Sequence, residues 1–338
     1  MDQITSITHP ILHVRRHLVK SAIVLPFAAH LPSSFAQTAA YPARAVKFII
    51  PFPAGGATDY AARTIGNALA ETWRQSVVAE NRVGAGSTIG TELGAKSAPD
   101  GYTLVMGIPA GITIAPHIYP KLGYDPLTDL LPVAGFATSP LVVVVPSDSP
   151  FTTFAELVAY ARANPGKLSY ASNGSGSLPH LTTEWFLSLA KLSMTHVPYR
   201  GSAQALPDLI AGRTQVMIDI IVSSLPLIEG GKLRALAVTG MQPTTRLPGI
   251  PTIASLGYPG FASDQWYGLF VPKGTPESVV RKIEADVQVV TSDSRMRGQM
   301  WQRGAEVAYL PAKVFETMLR MDSRRWAVIA KATGARAE

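Results

Sequence analysis

The sequence predicts an α/β fold with two lobes, each a mainly parallel sheet flanked by helices. Short apolar runs typical of buried strands alternate with amphipathic helical segments along most of the 338 residues. Glycine- and serine-rich turns follow several of these strands. The chain is 47% hydrophobic and 16% charged, a composition typical of a folded protein with a well-buried core.

The first alternation implies a parallel sheet. Its segments are a strand at 46–50, a helix at 59–72, a strand at 76–81, a helix at 87–96 and a strand at 102–108. Asp59 is predicted as the N-cap of the first helix, and Ser87-Thr88 provide a hydroxyl cap for the second. Strands that alternate with helices in this way are joined by right-handed crossovers.

A second alternation of the same kind predicts a second lobe. A strand at 132–137 comes before the crossing. The predicted strands after it are 141–146, 168–172, 194–198, 214–221 and 233–240, and the helices are 151–166, 178–190 and 203–212, the last capped by Ser202. The break at 138–140 marks the crossing, so lobe 1 is assigned to 41–138 and 252–338 and lobe 2 to 139–251. A strand at 266–272 precedes helices at 276–291, 293–303 and 311–333, which have no strands of their own.

The first 36 residues are predicted to be a secretory signal peptide. Arg15, Arg16 and Lys20 form a basic region, an apolar stretch runs over 22–31, and cleavage is expected after Ala36. The apolar stretch is too short to anchor the protein in a membrane. A disordered extension is the alternative. The prediction places the protein in the periplasm, freely soluble after cleavage.

Composition excludes several functional classes. Removing the signal peptide lowers the net charge from +7 to about +5, and the basic residues are scattered, which argues against a nucleic-acid groove. The absence of cysteine excludes disulfides, thiolate metal sites and a cysteine nucleophile. The histidines outside the signal peptide, at 117, 180 and 196, have no metal-site spacing. We therefore expect no metal and no cofactor.

The glycine-rich turns are the candidate binding site. They lie at 52–59, 83–88, 172–177 and 199–202, each at the carboxyl end of a predicted strand, where open parallel sheets bind ligands. The first, within VKFIIPFPAGGATD, joins a strand to the start of a helix. Backbone N–H groups at such a start are free to bind a small anion, typically a carboxylate.

Four polar residues and one turn have two possible interpretations each. Asp59 is an N-cap that could also fix the turn amides, and Asp219, within an apolar strand, is either structural or directed at the ligand. His180 and His196 are either satisfied core residues or general bases. The turn 199–202 offers an anion a hydroxyl, a guanidinium and a helix N-terminus, or is a surface Arg beside a capping Ser.

Seven collinear segments carry a family resemblance. They are YPARAVKFIIPFPAGGATD, VVAENRVGAG, PDGYTLVMG, ANPGKLSYAS, HVPYRGSAQALPDLIAG, GKLRALAVTG and WYGLFVPKGTP, and a terminal segment at 326–334 adds to them. The chain resembles the Bug family of periplasmic solute-binding proteins, the receptors of tripartite tricarboxylate transporters (TctC-like). The resemblance implies a Venus-flytrap fold that closes on a small organic acid.

The resemblance also implies a set of ligand-binding residues. In the family, main-chain amides and ordered water at two loops of lobe 1 hold one carboxylate. The implied residues are Phe52, Ala54, Gly55, Gly56, Thr58, Asp59, Gly84, Ala85, Gly86 and Ser87 in lobe 1, and Ser172, Asn173, Tyr199, Ser202 and Asp219 in lobe 2. Ala54 and Ser87 depart from the family patterns PPGG and GAGG, so the pocket is expected to differ locally.

The implied function is capture of a di- or tricarboxylate, an acidic amino acid or an aromatic carboxylate. The partners implied are the membrane permease subunits of a tripartite transporter. An extracytoplasmic sensor that docks on a sensor kinase ectodomain is the alternative. A secreted hydrolase is a remote third, because the sequence contains no nucleophile-elbow, phosphate-loop or zinc-protease motif.

Overall fold

The computed structural model describes residues 41–337, so the predicted signal peptide lies outside the described residues. The strands are β1 (Val46–Ile50), β2 (Val77–Asn81), β3 (Thr103–Gly107), β4 (Leu130–Pro146), β5 (Ser169–Ser172), β6 (Thr195–Pro198), β7 (Val216–Ile220), β8 (Leu233–Val238), β9 (Asp264–Pro272) and β10 (Glu306–Pro311). The helices are α1 (Ala57–Trp73), α2 (Thr88–Ala95), α3 (Ala115–Ile118), α4 (Phe154–Ala163), α5 (Leu178–Ala190), α6 (Ser202–Ile210), α7 (Ile221–Glu229), α8 (Glu277–Ser292), α9 (Ser294–Gln302) and α10 (Ala312–Thr333). Along 41–337, none of the helices has the length and apolar character needed to cross a membrane.

The strands form two mixed sheets that share β4. The first has the order β2-β1-β3-β9-β4-β10, and the second has the order β8-β4-β7-β5-β6. Strands β1, β2 and β3 pair in parallel, as do β5, β6 and β7, which confirms the parallel crossovers. Strand β4 pairs antiparallel with β7, β8, β9 and β10, so each sheet also contains antiparallel pairs.

Strand β4 is one strand, not the two that the sequence predicts. It pairs with β9 as far as Pro140 and with β7 from Leu141 onward. Proline lacks the N–H that a ladder needs, and Pro140 lies where the pairing changes from one sheet to the other. The break seen in the sequence therefore marks a change of sheet without a change of backbone direction.

Thr239 joins the two segments that connect the sheets. It follows β8 at the start of the return segment, and it is fully buried. Its amide donates to Leu141 O at 2.9 Å, and its hydroxyl accepts from Leu141 N at 2.9 Å. Ser263, at the end of the return segment, donates its amide to Thr239 O at 3.1 Å. Both connections are therefore hydrogen-bonded to the same residue.

Three elements are absent from the sequence prediction, and the shortest is the single-turn helix α3. Helix α7 starts directly after β7 without a turn signal and contains Pro226, so the sequence gives it no recognisable beginning. Strand β10 pairs with β4, so the prediction that the C-terminal segments lack strands is wrong. It is short, half-exposed and bulged between Val307 and Leu310, and such an edge strand has a weak sequence pattern.

A row of glycines crosses the middle of the first sheet. Gly107 of β3 pairs with Gly268 of β9, which pairs with Gly135 of β4. A Cβ at Gly268 would lie 2.2 Å from the Phe315 ring of α10, and one at Gly107 would lie 2.0 Å from the Phe270 ring. The missing side chains therefore make the space in which both rings pack, within a core that runs through both sheets.

We predict that Gly268→Ala destabilises the protein by about 1–3 kcal/mol, because the Phe315 ring must move to accept a methyl group. The matched control is Gly298→Ala in α9, where an added Cβ meets nothing within 4 Å. The control should stabilise by about 0.5–1 kcal/mol through helix propensity. Urea denaturation measures both, and equal effects would contradict the packing role of the glycine row.

Candidate functional site

A small cavity lies where the carboxyl ends of strands in the two sheets meet. Its volume is about 20 Å³, which is space for about one water molecule. It is lined by Phe52, Pro53, Ala54, Gly56, Ala57, Thr58, Ile108, Ala110, Asn173, Leu178, Pro179, Gly201, Ser202, Ala203, Ile220 and Gln265. We call it the inner cavity. None of these lining residues carries a charge.

Three helices begin at the inner cavity without a side-chain cap. The N-caps of α1, α6 and α7 are Gly56, Gly201 and Ile220, and none of them makes a capping hydrogen bond through its side chain. Helices α4 and α5, by contrast, are capped by Thr153 and Ser177. The first-turn amides of an uncapped helix have no partner inside the helix. They offer hydrogen bonds and the positive end of a helix dipole to an anion.

Asp59 stabilises the first glycine turn, at 52–59, from inside α1. It lies inside α1, so the prediction that it is the N-cap is wrong, and Gly56 occupies that position. Its carboxylate accepts from the Gly55 amide at 3.0 Å, from Arg63 Nε at 2.9 Å and from Asn81 Nδ2 at 2.9 Å. Burial alone would raise its pKa, but these hydrogen bonds outweigh burial and lower it.

A second, wider cavity of about 480 Å³ lies beside the first and shares Phe52, Pro53 and Asn173 with it. We call it the outer cavity. It is lined by Pro51, Phe52, Pro53, Val83, Gly84, Ala85, Gly86, Ser87, Tyr119, Asn173, Gly174, Ser175, Tyr199 and Arg200. Of the two glycine turns in the first sheet, 84–87 therefore lines only the outer cavity, whereas Ala54, Gly56 and Thr58 line only the inner one.

The 84–87 turn has an unusual backbone. Ala85, Gly86 and Ser87 all have positive φ, at 43°, 59° and 90°, although only one of them is glycine. Such strain in non-glycine residues persists where the surroundings impose it, often at functional sites. Ser87 precedes α2 but makes no capping bond, so the predicted hydroxyl cap is wrong. At Gly86 a Cβ would approach Ser175 O to 2.9 Å, so this turn touches a loop of the second sheet.

Asp219 supports the inner cavity without lining it. It is fully buried, and its Oδ1 accepts from Ser202 Oγ at 2.7 Å. The same hydroxyl lies 3.1 Å from Asn173 Oδ1, and both Ser202 and Asn173 line the cavity. Ser202 is the first residue of α6 and its side chain makes no cap, so the predicted capping role is wrong. Burial raises the pKa of Asp219 to about 6, against the hydrogen bond from Ser202.

The implied binding residues thus fall into three groups. Those on the inner cavity are Phe52, Ala54, Gly56, Thr58, Asn173 and Ser202. Those on the outer cavity are Phe52, Gly84, Ala85, Gly86, Ser87, Asn173 and Tyr199. Gly55, Asp59, Ser172 and Asp219 line neither cavity; Gly55 is an exposed residue of the first turn, and the other three are buried. Gln265 also lines the inner cavity, and the sequence analysis does not predict it. The signal that could have identified it is a buried polar residue at the start of an apolar strand.

Ser172 and His196 form a hydrogen-bonded pair that the sequence spacing does not reveal. Ser172 Oγ lies 2.6 Å from His196 Nε2, and the His196 ring stacks between His180 and Tyr170. Ser172 is fully buried and also accepts from the Gly174 amide, so its hydroxyl braces the 173–176 loop. Burial lowers the pKa of both histidines to about 4. Among the described residues, no cluster of carboxylates and histidines could hold a metal ion.

We predict that Asp59→Asn lowers the free energy of unfolding at pH 7 by about 1–2 kcal/mol, because it weakens charge-assisted bonds to Arg63 and Gly55. The lowered pKa means that the stabilisation is present above pH 4 and is lost as the pH falls through the folded-state pKa. Variant and wild type should therefore converge as the pH falls below the folded-state pKa of Asp59. Urea denaturation over the acidic range measures this, with the exposed Asp148→Asn as control, and a gap that does not narrow as the pH falls would contradict it.

The stacked histidines predict a second pH effect. Their pKa is lower in the folded protein than the ordinary 6.5, so the unfolded chain binds protons first. Stability should therefore fall as the pH drops from about 6.5 to about 4. The double variant His180→Gln, His196→Gln should flatten that part of the profile. An unchanged slope in urea denaturation of the double variant would assign the pH dependence to other groups.

Comparison with known proteins identifies the family. Residues 61–335 match the model of the tripartite tricarboxylate transporter family receptor (TctC). Protein BugT of Bordetella pertussis is 34% identical over 297 residues, which cover 88% of this chain and 91% of BugT. The solved structure of Rpa4515 of R. palustris with adipate superposes with a TM-score of 0.84 at 36% identity, over 88% of this chain and 99% of that one.

A second solved structure points the same way. MatC of Rhodopseudomonas palustris with bound malate superposes with a TM-score of 0.80 at 32% identity, over 86% of this chain and 99% of that one. These similarities extend along nearly the whole described chain. With its two sheets and the cavity between them, the chain belongs to the tripartite tricarboxylate transporter receptor (TctC) family, as its sequence motifs indicated.

Proposed function

We propose that the protein binds a small organic acid and holds one carboxylate of it in the inner cavity. The observation that carries this proposal is the convergence of three uncapped helix N-termini, of α1, α6 and α7, on one cavity without a charged lining residue. Ala54, Gly56, Thr58, Asn173 and Ser202 would contact the carboxylate. Asp59 and Asp219 would position these groups from behind.

Neutral hydrogen-bond donors are sufficient to bind a carboxylate. A hydrogen bond between an amide and a carboxylate contributes about 1.5–3 kcal/mol, and several of them replace the hydration that the anion loses. The inner cavity, at about 20 Å³, is far smaller than an organic acid, so the two sheets would separate to admit the ligand. Contacts to both sheets would then favour the closed state through a population shift.

The proposed biological role is transport. Relatives solved with adipate and malate support a carboxylate ligand. The family description supports delivery to the permease of a tripartite transporter. We propose that the protein is exported to the periplasm, loses its signal peptide near Ala36, and passes its ligand to the membrane subunits of such a transporter.

We predict that dicarboxylates such as adipate or malate raise the melting temperature, since a ligand that binds only the native state stabilises it. Ala203→Asp should weaken acid binding more than 10-fold, because it places a carboxylate of the protein at the first-turn amides of α6. It should leave stability equal or higher by about 0.3–1 kcal/mol, since an acidic residue favours a helix N-terminus.

Calorimetry and thermal shift test this proposal together. Ala203→Asn is the matched control, because it adds a side chain of the same shape without the charge and should weaken binding less. The carboxylate proposal would be wrong if sugars or amines shift the melting temperature and organic acids do not. Equal binding by wild type and Ala203→Asp would place the carboxylate elsewhere.

A further inference from the structure

The outer cavity contains a charge that the proposed carboxylate site leaves unused. Among the residues lining either cavity, all within the described chain, Arg200 is the only charged one. It lies in the turn between β6 and α6, two residues before the Ser202 that lines the inner cavity. The same turn therefore presents helix amides to one cavity and a guanidinium to the other.

Arg200 has no acidic partner within residues 41–337. Its backbone amide donates to Gln204 Oε1 at 3.3 Å, but its guanidinium makes neither an ion pair nor a hydrogen bond there. Asp208, the acidic residue of α6, is already occupied, since it accepts from Tyr199 Oη at 2.9 Å and pairs with Arg213. An anion in the outer cavity would thus meet a guanidinium that is not neutralised by the protein.

Tyr119 adds a hydrogen-bond donor to the same cavity. Its hydroxyl lies between two turns, 2.9 Å from the position of a Cβ on Gly86 and 3.0 Å from one on Gly176. Both residues have positive φ and no side chain, which is what allows the phenol to approach. The hydroxyl has no hydrogen-bond partner among the described residues, and burial raises its pKa, so it stays a protonated donor.

The wall between the cavities is largely apolar. Phe52 and Pro53 line both of them, together with Asn173. A ligand that reaches from one cavity to the other would therefore lay an apolar spacer along these two side chains. The end groups would be anionic, one at the helix amides of the inner cavity and one at Arg200.

We infer that the outer cavity is the subsite for a second carboxylate, held by Arg200 and Tyr119, and that the ligand is a dicarboxylate with an apolar spacer. This inference rests on the proposed function, because it takes the inner cavity as the site of the first carboxylate. It makes Arg200 the residue that distinguishes dicarboxylates from monocarboxylates.

Calorimetry with two six-carbon acids tests the inference. Wild type should bind adipate about 10-fold more tightly than hexanoate, which lacks the second carboxylate. Arg200→Gln should weaken adipate binding about 5- to 10-fold and leave hexanoate unchanged. This effect is modest for a charge-assisted bond because Arg200 is exposed. Added salt should weaken adipate binding more than hexanoate binding in wild type.

Two variants serve as comparisons. Arg162→Gln removes the same charge from α4 at an exposed position that lines neither cavity, and it should change neither affinity. Tyr119→Phe should weaken adipate binding a few-fold and leave hexanoate unchanged. The inference is overturned if Arg200→Gln weakens both acids equally or neither acid. If no carboxylate at all binds to wild type, the proposed function fails, and the second subsite fails with it.

Discussion

A backbone N–H that is removed from water needs an acceptor, and this requirement governs the centre of the molecule. At the starts of α1, α6 and α7 the sequence supplies glycine or isoleucine where α4 and α5 have a capping hydroxyl. The missing caps cost local helix stability and leave donors directed at one cavity. The glycine turns, the strand directions and the buried aspartates all serve to hold those donors together.

The two buried aspartates next to the inner cavity, Asp59 and Asp219, have opposite pKa shifts because their surroundings differ. Asp59 is surrounded by donors, including Arg63, and its pKa is lowered, so it anchors a turn as an anion at neutral pH. Asp219 has a hydroxyl donor, no cation and one oxygen without a partner among residues 41–337, and burial raises its pKa to about 6. The inner cavity is thereby supported from both sheets while its own lining stays neutral.

Local sequence patterns predicted the elements whose signals lie close together in the chain. Strand β1, helix α5 and the glycine turns were identified because their signals lie within a few neighbouring residues. The fusion of two strands into β4, the edge strand β10 and the glycine row depend on register between distant segments, which single-sequence periodicity does not encode. The division of the turns between two cavities depends on distances between loops, and the Ser172–His196 pair depends on the pairing of β5 with β6, so both required the structure.

Thr239 couples the two connections between the sheets to each other. Because Leu141 and Ser263 both bond to this one buried residue, the outgoing and returning chains cannot bend independently. They form one hydrogen-bonded connection between the sheets. We expect any separation of the sheets that admits a ligand to proceed as a rotation about this connection.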